Sequence, residues 1–356
     1  MLQITSQAKK YAAAVFALLL TVLVTAPAPL LAADAAVLPA VGNGRCVTFN
    51  SLPVSPAPGQ PHSWQIAGTY CNPLHWASGQ HQVDVLTHGA TYSGSYWDWP
   101  QDPSLYSYTH KTLQAGRATL DYDCIGAGQS TRPVHSTDIT MASDAYVLHQ
   151  IIQDLHLVGY KQVNSIGHSM GSGTAMREAA MYADVSRVVL TGYLHAARNP
   201  VVGAALYPAN QDPRFAGKKL DSGYLTTTPT GRQASFYSSS ADPAVVARDN
   251  KYKDIVSATF FGGYIADRAV PAGNNLSNTI KVPVLLIDGQ QDAVFCFTPD
   301  GLDCTNQAGV QANEAPYYTG AKSLTVNTVP NTGHDLTLHP SANQSFAMIN
   351  QWVKTH

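Results

Sequence analysis

Three side chains in this sequence stand where acyl-transfer chemistry would need them. Gly167-His168-Ser169-Met170-Gly171 follows the strand-like run Val163-Asn164-Ser165-Ile166 and precedes the small-residue, helix-compatible stretch 172–176. This is the G-x-S-x-G pattern at a strand-to-helix turn. Such a turn forces Ser169 into a strained backbone conformation, and Gly167 and Gly171 leave room where strand and helix cross. The hydroxyl is then held at the tip of a sheet, beside the positive end of a helix.

A serine hydroxyl is a weak nucleophile. It needs a base, and the base needs a group to orient it. His334 is the natural base, in Asn331-Thr332-Gly333-His334-Asp335 just ahead of the closing helix. Asp292 ends Asp288-Gly289-Gln290-Gln291-Asp292, the turn after an apolar strand, where a carboxylate can reach a histidine. The chain order nucleophile, acid, histidine is the one expected of a hydrolase built on a parallel sheet. Asp288 is the second candidate for the acid. Asp335 and His339 are poorer alternates, further along the histidine loop. Acyl transfer also needs donors for the developing oxyanion. The Met170 amide is one expected donor. The Ala90 amide, in His88-Gly89-Ala90-Thr91, is the other. Tyr92, Tyr96, Trp97 and Trp99 follow closely, as pocket walls or as plain packing.

These residues need a scaffold, and the apolar pattern supplies one. Strands are expected at 83–87, 118–123, 163–166, 187–190, 282–287 and 324–326. Helices are expected around 105–114, at 141–157, 170–182 and 341–354. In the second of these helices Met141, Ala145, Leu148, Ile152 and Leu155 recur at three- and four-residue steps, as one buried face requires. Short β-branched runs alternating with helices predict an α/β fold: a mostly parallel central sheet with helices on both faces. About 80 residues, roughly 197–278, are too many for a simple crossover. They read as an inserted cap over the C-terminal edge of the sheet, or as a small structural subdomain. The domain reading is residues 1–33 signal peptide, 34–82 N-terminal segment and early strands, and 83–356 hydrolase domain with the insertion.

At these motifs the chain resembles the α/β-hydrolase superfamily. The matching pieces are His88-Gly89-Ala90, the strand-loop 120–130, the serine pentapeptide, Gly289-Gln290-Gln291-Asp292 and Gly333-His334. The resemblance runs from about residue 80 to the end and is to secreted, esterase- or lipase-like serine hydrolases. It implies Ser169 as nucleophile, Asp292 as acid, His334 as base, and Ala90 and Met170 as oxyanion donors. The stretch before residue 80, with two cysteines and Pro-rich loops, has no counterpart in that pattern.

Composition narrows the setting. Only 12% of the 356 residues are charged and the net charge is −2, so a nucleic-acid partner is not expected. Lys9 and Lys10 precede an apolar run of about 14 residues, short of the roughly 20 a span needs. Pro/Ala-rich sequence follows, with cleavage expected after Ala33. The expectation is a secreted protein, extracellular or periplasmic, with no stable membrane insertion once the signal is removed. Five cysteines suit an oxidising compartment. Cys296 with Cys304 and Cys46 with Cys71 are candidate pairs, leaving Cys124, although the sequence alone leaves other pairings open. Gly126-Ala127-Gly128 lacks the third glycine of a dinucleotide loop, since position 131 is threonine. No metal motif occurs, and no cofactor is expected. The reading is a serine hydrolase of carboxylic esters, with an apolar acyl or aryl small molecule as substrate. The alternatives are a hydrolase of another acyl bond (lactone, peptide, polyester), an acyltransferase, or a catalytically silent binding protein.

Overall fold

The computed structural model describes residues 38–77, 81–195, 203, 205–296 and 301–356. The signal segment lies outside these residues, as do the first residues of the insertion. Eight strands form the main sheet: β1 (Cys46–Val54), β2 (Trp64–Cys71), β3 (Gln82–Thr87), β4 (Ala118–Tyr122), β5 (Gln162–His168), β6 (Arg187–Thr191), β10 (Pro283–Gly289) and β11 (Ser323–Val329). Their order is β1-β2-β4-β3-β5-β6-β10-β11. The six strands from β4 to β11 pair in parallel. β2 runs antiparallel to both β1 and β4. The early stretch that the sequence left unplaced therefore extends the sheet at one edge. Cys46 and Cys71 are register partners across β1 and β2 and form a disulfide.

Alternation along the central strands assigns the two faces. Val284 and Leu286 of β10 and Val188 and Leu190 of β6 pack on one side, with Met176 and Leu148. Leu285, Ile287 and Val189 pack on the other, with Phe346 and Ile349. Helices α3 (Met141–Leu157) and α4 (Met170–Tyr182) thus cover one face, and α9 (Ala342–Thr355) the other. Both faces are covered, so every residue of β10 is buried.

The expected helix around 105–114 is two helices, α1 (Pro103–Tyr106) and α2 (Tyr108–Gln114). Ser107 breaks them with an extended backbone and caps α2, its Oγ accepting from the His110 amide at 2.9 Å. Between β6 and β10 lies the insertion. It carries a second antiparallel sheet of β7 (Leu206–Pro208), β8 (Tyr224–Thr227) and β9 (Val256–Ser257). It also carries α5 (Pro229–Phe236), α6 (Pro243–Tyr252) and α7 (Ala258–Ala269), and α8 (Gln307–Glu314) follows β10. Thr228, Asp242 and Ser257 cap the three inserted helices, and proline opens the first two. Among the described residues no helix is long and apolar enough to cross a membrane.

Candidate active site

Strand β5 ends at His168 and α4 begins at Met170, leaving one residue for the turn. That residue is Ser169, at φ 52° and ψ −116°. Such a backbone costs on the order of 1–3 kcal/mol and persists only where the surroundings enforce it. Here its amide donates to Thr191 O at 2.8 Å. The flanking glycines are steric necessities. A Cβ on Gly167 would lie 2.4 Å from Gly171 O, and one on Gly171 would lie 2.4 Å from both Thr87 O and His88 O. Ser169 is half-buried, between His168 and Met170, which are buried.

The loops after β10 and β11 close on each other. Gln290 N donates to Val329 O at 2.9 Å and Gln291 N to Thr332 O at 2.8 Å. A Cβ on Gly289 would lie 2.2 Å from Gly333 O, so only glycine permits this approach. The result brings His334 to Asp292, with Nδ1 donating to Oδ2 at 2.7 Å. Asp292 Oδ1 accepts from the Val294 amide at 2.6 Å. Burial alone would raise the Asp292 carboxyl, but the His334 charge and hydrogen bond outweigh it and hold it below its ordinary range. Burial alone would lower His334, but Asp292 outweighs it and the imidazole is raised. Asp288, the alternate acid, is buried behind this pair and accepts from the Gly289 amide at 2.9 Å. Burial first, and the Asp292 charge second, push it well above the carboxylate range.

The elbow and the histidine loop meet at Gly192. The His168 and His334 ring centroids are 4.9 Å apart, and a Cβ on Gly192 would crowd both rings. The loop after β3 crosses the same spot, since a Cβ on Gly89 would lie 3.2 Å from Ser169 Cβ. Ala90 is buried there, and among the described residues its amide has no acceptor. Met170 opens α4, so its amide is one of the helix's unpaired donors. Buried His88 fixes the loop: Nδ1 donates to Gly89 O at 2.8 Å and Nε2 accepts from the Cys124 amide at 3.0 Å. Burial lowers its pKa and keeps it neutral. Tyr92, Tyr96, Trp97 and Trp99 are buried, and Tyr96 stacks on His168 at 4.4 Å between centroids. Packing describes these aromatics better than pocket walls.

The sequence profile of the α/β-hydrolase fold matches residues 85–335, more than half of the chain. The chain belongs to the α/β-hydrolase fold family. Solved structures agree at the level of fold. An esterase from Exiguobacterium antarcticum is 17% identical, with TM-score 0.57 over 82% of this chain and 96% of its own. A soluble variant of monoglyceride lipase from Saccharomyces cerevisiae is 15% identical, with TM-score 0.58 over 83% and 92%. A thermophilic esterase from Thermogutta terrifontis is 16% identical, with TM-score 0.57 over 87% and 98%. No curated protein matches by sequence.

This α/β hydrolase also has a buried polar network that motif reading missed. Asp335, read as a poor alternate, places Oδ1 3.1 Å from His168 Nε2 and accepts from the Tyr92 hydroxyl. The same hydroxyl lies 3.0 Å from Asp249 Oδ2 on α6. Asp249 is held by Arg232 of α5, whose Nη2 donates to Oδ1 at 2.8 Å, and Arg232 Nη1 donates to Thr91 Oγ1 at 2.6 Å. Two inserted helices are thereby bonded to the loop after β3 and to the residue after His334. His339, the other alternate, accepts the Gly333 and Ser238 amides on Nε2 at 3.1 and 3.0 Å. It clamps the histidine loop to the insertion. No local signal announces these partners, because they come together only through the chain's long-range topology.

Proposed function

We propose that this α/β hydrolase is a secreted serine hydrolase that cleaves carboxylic esters through an acyl-enzyme. Ser169 attacks the ester carbonyl while His334 takes its proton. Asp292 holds the imidazole with its proton on Nδ1 and stabilises the imidazolium. The Ala90 and Met170 amides bind the oxyanion. His334 then protonates the leaving alcohol and activates the water that frees the acid. The observation that carries this reading is the 2.7 Å bond between His334 and Asp292, beside a serine on a strained elbow. The neighbours described as esterases and a monoglyceride lipase favour an ester over other acyl bonds. Phe236 and Phe295, with ring centroids 5.5 and 5.9 Å from that of His334, favour an apolar acyl or aryl group. Two disulfides, Cys46–Cys71 and Cys296–Cys304, suit the secreted compartment that the N-terminal sequence implies. Labelling with a fluorophosphonate tests the nucleophile, and a series of p-nitrophenyl esters of rising chain length tests the substrate class. Wild-type protein that takes up no label would overturn the assignment.

The pH profile should carry the mark of His334. A base must be neutral to act, and this imidazole is raised above its ordinary value. Esterase kcat/KM should therefore climb with pH through a transition above about 6.5, the unperturbed histidine value. A rate flat from pH 5 to 8, with chemistry limiting, would count against histidine.

Cys296 and Cys304 lie on the connection that leaves Asp292, and the Cys296 amide donates to Asp292 O at 2.8 Å. Their bridge closes a short loop, for which chain entropy gives about 2–3 kcal/mol. Its local effect should be larger, since a misplacement of about 1 Å can cost roughly 100-fold in rate. The Cys296→Ser, Cys304→Ser double variant should lose more activity than thermal stability. A variant that melts early yet turns over normally while folded would disprove this.

A further inference from the structure

Away from Ser169, on the side of the sheet covered by α3 and α4, three potential ligands converge. His149 comes from α3, Glu178 from the last turns of α4 and Asp184 from the segment just after it. One ligand atom from each lies within 4.8 Å of the others. His149 Nδ1 is 2.8 Å from Asp184 Oδ2 and 3.7 Å from Glu178 Oε1. Ligand atoms around a four-coordinate zinc, at about 2.0–2.2 Å from the ion, stand about 3.3–3.6 Å apart. The two His149 separations bracket that spacing.

Glu178 is the second observation. Its side chain is fully buried, its Oε1 faces His149 Nδ1 at 3.7 Å, and among the described residues neither carboxyl oxygen accepts a hydrogen bond from outside the cluster. Asp184 Oδ1 is likewise buried with no hydrogen bond from outside the cluster. Buried carboxyl oxygens are almost always satisfied, by donors, water or metal. A divalent cation held by one neutral imidazole and two carboxylates leaves the cluster electrically neutral. The surroundings orient the ligands as a metal site requires. Gln153 Nε2 donates to Asp184 Oδ2 at 2.6 Å, and Tyr182 stacks on the His149 ring at 3.9 Å between centroids. His149 and Asp184 keep side-chain exposures of 22% and 14%, which leaves an entry path.

We propose that His149, Glu178 and Asp184 bind one divalent transition-metal ion of the zinc class, tying α3 to the C-terminal end of α4. One imidazole and two carboxylates suit Zn²⁺ better than Ca²⁺ or Mg²⁺, which favour all-oxygen sites. Helix α4 carries Glu178 near one end and follows Ser169 at the other, so the ion would brace the helix that presents the serine.

The test is zinc titration of the untagged, chelator-stripped protein by calorimetry, with metal content measured after dialysis. One zinc per chain is expected, with a Kd in about the micromolar range or tighter. Melting should rise by about 5 °C at zinc about 100-fold above that Kd. His149→Ala, on a partly exposed side chain that the fold should tolerate, and Glu178→Gln should each weaken binding at least tenfold. Absence of saturable binding below millimolar zinc would overturn the proposal. So would wild-type affinity in both variants, which would place the ion elsewhere. Neither readout uses hydrolysis, so the proposal stands or falls apart from the esterase reading.

Discussion

Ser169→Ala is expected to lower kcat for ester hydrolysis by on the order of 10⁶ and leave the fold unchanged. The size follows from the proposed chemistry. Without the hydroxyl there is no covalent intermediate, and only binding and oxyanion stabilisation remain. The fold should survive because the hydroxyl organises little of the elbow. That work falls to the Ser169 amide bond to Thr191 O and to the two flanking glycines. Alanine does not relieve the backbone, which stays at φ 52° whatever the side chain. Ser169→Gly should relieve it, and should be more stable than Ser169→Ala by about 1 kcal/mol and melt correspondingly higher. Two measurements check the set: turnover of a p-nitrophenyl ester with fluorophosphonate labelling, and thermal melts of the two variants. Near-normal turnover by purified Ser169→Ala would sink the nucleophile. Equal melting of the two variants would show that the elbow is not strained in solution.

The scaffold was legible in the sequence where local pattern and tertiary demand coincide. Met141–Leu157 has one apolar face and a capping threonine, and it forms over the expected residues. The strands β3, β4, β6 and β10 read as short apolar runs because helices cover both faces of the sheet. The edge was not legible. β1 alternates between exposed and half-buried positions along much of its length, and a bulge between Phe49 and Leu52 breaks its register, so its period-two signal is weak. The helix around 105–114 misread for a simpler reason. Ser107 can sit inside a helix or cap the next one, and its contact with Asp98, at 2.6 Å, decides between them. The candidate site divides the same way. Residues on motif loops (Ser169, Asp292, His334, Ala90) were nameable from sequence, because each follows a strand that had to end there. Arg232, Asp249 and Asp335 were not nameable in their contacts. Their partners lie far off in sequence, and an isolated Asp or Arg carries no mark of burial.

Asp292→Asn is expected to lower kcat by about 10⁴, and Asp288→Asn by much less. The two carboxylates are close in the chain and differ in state. His334 holds the Asp292 carboxyl below its ordinary range, whereas burial pushes Asp288 well above it. Asparagine mimics a protonated acid in shape, so position 288 should tolerate it, with the Gly289 amide still finding an oxygen acceptor. At position 292 the substitution removes the acceptor of the His334 Nδ1 proton. An amide turned to donate there would move that proton to Nε2, the nitrogen that must accept from Ser169. A second readout separates this from a loss of packing. The Asp292 carboxylate is what raises His334, so without it the imidazolium loses its counter-charge and the activity transition should move to lower pH. Residual kcat/KM of both variants across pH 5–9 measures the two effects together. If Asp288→Asn proves the more damaging, or if the Asp292→Asn profile keeps the wild-type midpoint, the carboxylate that orients His334 is not Asp292.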